Sequence, residues 1–304
     1  MLCLRENLGS IIQCGREITG EQLDEIQDTV RLFPALSRWE LAQTICEHLG
    51  WFTASGGYKT DACLKLLSRL EVKGCLGLPP KRAISPQRHS PIALTPRTEP
   101  RPDIGGSVGE VSPVRVEVVN GRETTALWNE YVSRYHSLGY KRPFGCFLRY
   151  FIESPHGILG CLLFQGAAKA LKARDEWIGW TETQRLRNLA WVINNARFLI
   201  FPWVQVKNLA SHVLGKALRR LKDDWLKQWG YSPVLSETFV DPIYYQGSCY
   251  KAANWQYLGM TTGEGLVRKG KNYSTTPKMI FVSPLVADFR SFLLSDQLKG
   301  RMEE

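Results

Sequence analysis

The sequence predicts a mixed chain, α/β (α+β) in class. A helical winged-helix-like or helix-turn-helix-like domain is expected over 1–78, a Pro/Arg-rich linker over 79–114 and a mixed-sheet α/β domain over 115–304. Three observations carry this. Residues 18–74 show apolar side chains at helical spacing between capping and glycine signals. Eight prolines fall between Pro79 and Pro113, a composition unable to bury enough apolar surface to fold alone. Beyond 114, short apolar runs alternate with helical patterns, as where helices pack on a sheet. With 304 residues, 44% of them hydrophobic, the chain is long enough for one large or two moderate domains with real cores.

In the first zone, 18–32 reads as one helix. Ser37 followed by Glu40 is a capping-box pattern: the hydroxyl accepts from the third helical amide and the carboxylate reaches back to the cap. The helix behind it puts Leu41, Ala42, Ile45, Cys46 and Leu49 on one face and stops at Gly50. After the turn Ser55-Gly56-Gly57, Thr60 is placed to cap a further helix with Ala62, Leu66, Leu67 and Leu70 inward, ending at Gly74. Residues 75–78 suit a short strand. Helix, turn, helix, short strand is the order of a winged helix. Lys59, Lys65, Arg69 and Lys73 lie on or near the polar side of the last helix, with Thr60 at its start. There they can meet phosphates and position the module on DNA; an ordinary solvated lysine face has the same pattern.

The linker carries Lys81, Arg82, Arg88, Arg97 and Arg101 and should form a semi-extended basic tether able to follow a nucleic-acid backbone. In the third zone 114–119 reads as a strand, 128–138 as a helix, 147–151 as a strand and 157–164 as a buried strand. The run 197–206 is another buried strand, but Pro202 cannot donate to a ladder, so a bulge or an edge is expected there. Residues 208–229 make a long amphipathic helix with Leu209, Val213, Leu214, Ala217, Leu221 and Trp225 inward and Lys216, Arg219, Arg220, Lys222 and Lys227 outward. A strand over 233–240, a short helix over 250–254 and a late strand over 279–283 follow. There is no internal repeat.

The formal net charge of +10 and the sequence pI of about 9.2 favour polyanionic partners, nucleic acid first. The eight cysteines form no CxxC pair, which argues against a zinc ribbon and fits a reducing compartment. The first residues lack the basic start and clean apolar run of a signal peptide. The longest apolar run, FLIFPWVQV, is too short and interrupted to span a bilayer. A soluble, cytoplasmic protein is expected, with DNA as its partner and no membrane.

The block 174–263 holds seven of the ten tryptophans. Asp175, Glu237 and Asp241 are its candidate catalytic acids and Mg²⁺ ligands. On an extended segment Glu237 and Asp241 point to the same side, and paired carboxylates hold Mg²⁺ for phosphoryl chemistry. The plainer alternative pairs Asp175 with Arg174 or Arg185, and Glu237 with a buried Arg or a Trp N–H. Trp177, Trp180, Trp203 and Trp255, interleaved with Arg174, Arg185, Arg187 and Arg197, suggest a stacking platform for unpaired bases, weighed against core packing. His212 near a helix start can act as a base. Cys249 is a nucleophile only beside a base, and no Cys–His constellation is visible.

The order of elements around 157–263 resembles the acyl-CoA N-acyltransferase (GNAT) fold. In that family a bulged strand leads into a helix whose first amides hold the pyrophosphate of coenzyme A, and a second strand leads to a short helix bearing a Tyr. The resemblance implies a GNAT-like mixed sheet and places Tyr250 as a general acid. The family loop, Gln/Arg-x-x-Gly-x-Gly/Ala, is replaced by VQVKNLASH, with Ala210 and Ser211 and no glycine, so coenzyme A is not expected as cofactor. The blocks RDEWIGW, RFLIFPWVQVKNLAS, ETFVD and CYKAANWQYLGMTTG together resemble the DruA family of the Druantia anti-phage system, whose members also occur with insertion sequences. LSRWELAQTICEHLGW, YKTDACLKLLSRLE and LPPKR resemble the N-terminus of insertion-sequence transposases. These resemblances imply a bacterial DNA-binding protein of anti-phage defence or mobile-element biology, with other defence-system or mobile-element proteins as partners. An Mg-dependent transposase or nuclease is the first alternative and an acyl-CoA-dependent N-acyltransferase the second.

Overall fold

The computed structural model describes residues 11–81, 91–143, 145–263 and 276–296. They form two compact units, one of 11–81 with 181–187, the other of 91–180 with 188–296.

The first unit opens on a hairpin of β1 (Ile11–Gln13) and β2 (Arg16–Ile18), which the sequence reading does not contain. Its turn residues Cys14 and Gly15 both take positive φ, as a tight two-residue hairpin turn requires. α1 (Gly20–Leu32) starts on a capping box between Thr19 and Gln22. α2 (Arg38–His48) starts on the expected one between Ser37 and Glu40 and buries Leu41, Ala42, Ile45 and Cys46. α3 (Thr60–Val72) is capped by Lys59 rather than Thr60: the Lys59 carbonyl accepts the amides of Ala62 and Cys63, 3.0 Å each, so Thr60 is already the first helical residue. No strand forms over 75–78. Gly74 turns left-handed, the Cys75 amide folds back onto Leu70 O at 2.9 Å, and Gln27 Nε2 takes the Cys75 carbonyl at 3.1 Å. The groups a ladder would use are thus spent on closing α3. Leu76 and Leu78 pack on the helical core instead, and no wing follows α3 among the described residues.

The second unit takes up much of the expected tether. A 3-10 turn at Pro96–Thr98 is fastened by Glu130, whose carboxylate accepts from Thr95 Oγ1 (3.1 Å) and Thr98 Oγ1 (2.6 Å). β3 (Ile104–Ser107) pairs in parallel with β8 (Val204–Lys207). Both contacts are long-range, so a proline-rich composition could not announce them.

The main sheet begins as an antiparallel meander of β4 (Arg115–Val118), β5 (Phe147–Ser154), β6 (Gly157–Gly166) and β7 (Val192–Ile200). β9 (Leu235–Val240) lies parallel to β7, and β11 (Met279–Pro284) then β10 (Gln256–Met260) complete it, in the order β10-β11-β9-β7-β6-β5-β4. The helices of this unit are α4 (Arg122–Tyr135), α5 (Lys172–Ile178), α7 (Leu209–Trp229), α8 (Ser248–Ala252) and α9 (Phe289–Leu293), while α6 (Glu182–Asn188) belongs but for its last residue to the first unit. Strand alternation puts helices on both faces. In β5 the Tyr150 hydroxyl donates to Asp224 of α7 at 3.0 Å, while the next residue, Phe151, meets Tyr131 of α4 edge-on at 6.4 Å. The inward face of α7 is the expected one, Leu209, Val213, Leu214, Ala217, Leu221 and Trp225; each large apolar side chain so buried contributes roughly 1.5–3 kcal/mol. On its flank, Lys216 Nζ donates to Val114 O at 2.6 Å and Arg220 to Val116 O, capping carbonyls that an edge strand would otherwise offer to another chain.

Pro202 does not create the expected bulge. It lies in the turn after β7, from which β8 leaves for β3. The irregularity comes earlier: Arg197 pairs with Leu163 and Asn195 with Phe164, leaving Ala196 extra. Bulged β7, α7, parallel β9 and short α8 follow in the order that the GNAT resemblance implies, and the second unit has that mixed-sheet fold. No helix among the described residues is long and apolar enough to cross a membrane.

Candidate functional site

β7 and β9 pair only from Val192 to Asn194 against Leu235 to Glu237. Beyond that the bulge parts them, and buried polar groups take over. Asn195 Nδ2 donates to Leu163 O and Arg197 O, 3.2 Å each. Thr238 Oγ1 donates to Asn195 O at 3.0 Å, and the Tyr250 hydroxyl to Asn195 Oδ1 at 2.8 Å. Tyr250 stacks on Phe281 at 5.7 Å with Trp255 edge-on at 5.1 Å. Burial pushes its phenol well above the ordinary tyrosine range, and burial likewise raises the Cys249 thiol, the opposite of what an activated nucleophile needs. Tyr250 therefore reaches the place where a general acid was expected, but its proton is engaged by a buried amide.

One residue earlier on β9, Glu237 faces the opposite side of the sheet. It is fully buried and accepts from the Ala168 amide and Arg174 Nη1, both at 2.8 Å. Arg174, also fully buried, turns its Nε and Nη2 onto Asp175 Oδ1 at 2.9 and 2.8 Å. Trp180 Nε1 donates to the same oxygen at 3.1 Å, and its ring lies 5.5 Å from the guanidinium. One cation thus serves two carboxylates. Burial raises the Glu237 carboxyl, and Arg174 opposes the shift. Asp241 is elsewhere, ion-paired with Lys278, which holds its carboxyl below the usual range. The three proposed metal ligands do not converge. Among the described residues no group of three or more His, Cys, Asp or Glu is placed to hold a metal ion, and a guanidinium occupies the space that Mg²⁺ would need between Asp175 and Glu237.

An open cavity of about 640 Å³ lies where α7 begins, lined in part by Ser107, Lys207, Asn208, Ser211 and His212. It is the place where the acyltransferase resemblance would seat a pyrophosphate. The donors fit that group poorly. The Ser107 amide is bound to the Glu110 carboxylate, Ser211 Oγ is turned to Asn208 O at 3.1 Å, and Ala210 and Ser211 stand where glycines would expose the backbone. Burial lowers the His212 pKa, with Lys216 and Arg219 adding to the effect.

The tryptophan platform is not exposed. Trp180, Trp203 and Trp255 are buried, and Trp177 is stacked on Phe289 at 5.1 Å with Arg290 over it. Arg197 is turned inward to Gly139 O and Ala196 O, and Arg185 is held by Glu182 at 3.1 Å. In the first unit Lys65, Arg69, Lys73 and Lys81 are exposed; Arg69 also donates to Gln13 Oε1 at 2.8 Å. Lys59 is half-buried, and burial lowers its pKa. Arg82 lies outside the described residues. The sequence reading missed a group of exposed side chains, Ile243, Tyr244, Tyr245, Tyr257 and Met260. The run Ile243-Tyr244-Tyr245 directly after a strand end, with neither strand nor helix periodicity, was its only signal.

The model of the family described as Druantia protein DruA matches residues 85–270. A point mutant of spermidine N-acetyltransferase SpeG from Vibrio cholerae is similar in structure at 10% identity, over 60% of this chain and 98% of that one, with a TM-score of 0.39. Aminoglycoside acetyltransferase AAC(6')-Ib in complex with coenzyme A is similar at 13% identity, over 56% and 94%, with a TM-score of 0.37. None of the curated proteins matches the chain.

Proposed function

The chain belongs to the DruA family, and on that premise we propose that it is a DNA-binding protein of bacterial anti-phage defence, acting in the cytoplasm with other defence-system proteins. The first unit would dock on duplex phosphates through α3. One observation carries this reading: Lys65, Arg69 and Lys73 stand exposed on or just beyond α3, and none is ion-paired to an acid among the described residues. Cations with no acid beside them, Arg69 holding only the neutral Gln13 amide, are available to phosphate, and a chain of net charge +10 draws a polyanion toward them. Binding is favoured over Mg-dependent cleavage because Asp175 and Glu237 are both taken by Arg174. It is favoured over acyl transfer because the Tyr250 proton is engaged by Asn195 and the donors at the cavity beside α7, Ser107 N and Ser211 Oγ, are turned to other partners.

The test is duplex affinity as a function of salt, for the full chain and for the double variant Lys65→Ala/Lys73→Ala. Each phosphate that the variant no longer neutralises should lower the slope of log affinity against log salt by about 0.9. Undetectable or salt-insensitive duplex binding by the unaltered chain would sink the proposal.

A further inference from the structure

We propose that Tyr244, Tyr245 and Tyr257 form a stacking ledge for the unpaired bases of single-stranded DNA. The inference rests on the reading of the protein as a DNA binder and adds a second nucleic-acid site, in the second unit.

The first observation is exposure. Tyr244 is 70% exposed, Tyr245 58% and Tyr257 47%, beside exposed Ile243 and Met260. Five of the seven exposed large apolar or aromatic side chains described in this unit therefore fall between 243 and 260, a concentration that marks a contact surface rather than scattered surface apolar residues.

The second is support from below. The Asp241 carbonyl accepts the amides of Tyr244 and Tyr245 at 3.2 and 2.9 Å, Asp241 Oδ1 accepts the Ile243 amide at 3.1 Å, and Lys278 holds the same carboxylate. Gly247, at φ +68°, lies so close on the Phe281 ring that a Cβ there would come within 2.6 Å of it. Tyr257 packs on the same ring at 5.5 Å. The loop end and Tyr257 thus share one buried base, Phe281. The backbone beneath Tyr244 and Tyr245 and the ring of Tyr257 are thereby fixed before any base arrives.

The third is charge. From Pro242 to Gly263 the chain contains no acid. The one carboxylate at the foot of the loop, Asp241, is neutralised by Lys278, and Lys251 on α8 is exposed. Aromatic rings on a stretch of chain that carries a cation and no acid suit a phosphate-linked strand of bases. In a duplex the base faces are already stacked on each other, so the ledge selects unpaired strands.

The experiment measures binding of the full chain to a labelled oligothymidine and to a labelled duplex by fluorescence anisotropy. The variants are Tyr244→Ser/Tyr245→Ser, Tyr257→Ser and Tyr244→Phe/Tyr245→Phe, each with its circular dichroism and sedimentation compared with the parent. The serine variants should lose single-strand affinity about tenfold or more with duplex affinity unchanged, and the phenylalanine variant should bind as the parent does. Unchanged single-strand binding by both serine variants overturns the ledge, as does an equal loss on both DNAs. A change of oligomeric state with no change in DNA binding also overturns it and makes the patch a protein interface. Duplex binding without any single-strand binding by the parent defeats this inference and leaves the first-unit reading standing; no binding of either DNA defeats both.

Discussion

Around Arg174, aromatic and charged side chains close on one another; around Tyr245 they remain open. Both groups lie in the second unit, and only the first stood out as sequence. In the first, Asp175, Glu237 and Trp180 meet one guanidinium, and every charge is answered within 3.1 Å. In the second, Tyr257 rests on Phe281, the turn of Tyr244 and Tyr245 is held by Asp241, and all three rings are exposed. The difference lies in what each side chain must satisfy. A buried carboxylate has to find a donor, so acids in a sheet interior are consumed by the fold. A phenol at a sheet edge carries its own polar end and can stay in water.

The sharpest way to break this comparison is Arg174→Ala. Removing the cation leaves Glu237 buried without its partner, which should cost about 3–5 kcal/mol. Urea denaturation would read that loss. A loss under about 1 kcal/mol would mean that water reaches Glu237, and would return the acid to the set of candidate ligands.

A smaller, pH-dependent effect is expected from Glu237→Gln. Burial raises the folded pKa of this carboxyl above its unfolded value of about 4.3. The sign follows from linkage: the folded state holds the proton more tightly, so the contribution is present below the unfolded value and is lost as pH rises through the folded one. The stability of the parent relative to the glutamine variant should therefore decline from acidic toward neutral pH. A constant difference across that range would show that Arg174 alone sets the state of Glu237.

Ser37→Ala tests the first unit at the point where sequence and structure agree best. Loss of the capping bonds between Ser37 and Glu40 should cost about 1 kcal/mol. Local chemistry of this kind was legible: the capping box, the buried face of α2 and all six inward residues of α7 follow from spacing alone. What was not legible depended on distant partners. The hairpin at 11–18 hinges on Cys14 accepting a left-handed conformation, which its type does not advertise. β3 exists because β8 pairs with it across about a hundred residues of chain. Pro202 was recognised as a breaker, yet nothing local distinguished a bulge from the end of a strand. For the candidate site, Asp175 and Glu237 were singled out as candidate metal ligands, with ion pairing as the plainer alternative. Their convergence on Arg174 instead of on a cation-sized gap needed the sheet register to be known. The tyrosine ledge was missed for the same reason: exposure is a property of neighbours.

The smallest effect expected on stability belongs to Tyr244→Ser/Tyr245→Ser. Both rings are mostly in water, and their turn is held by backbone bonds to Asp241 that serine preserves. Surface changes of this kind usually stay within about 0.5 kcal/mol. The midpoint of urea denaturation should accordingly match that of the parent, in contrast to Arg174→Ala. If instead the double variant lost several kcal/mol, the rings would be acting as core, and the contrast between the closed cluster and the open ledge would fail. An unchanged midpoint has the opposite use: any change in single-strand binding by that variant then reports on the rings themselves and not on the fold beneath them.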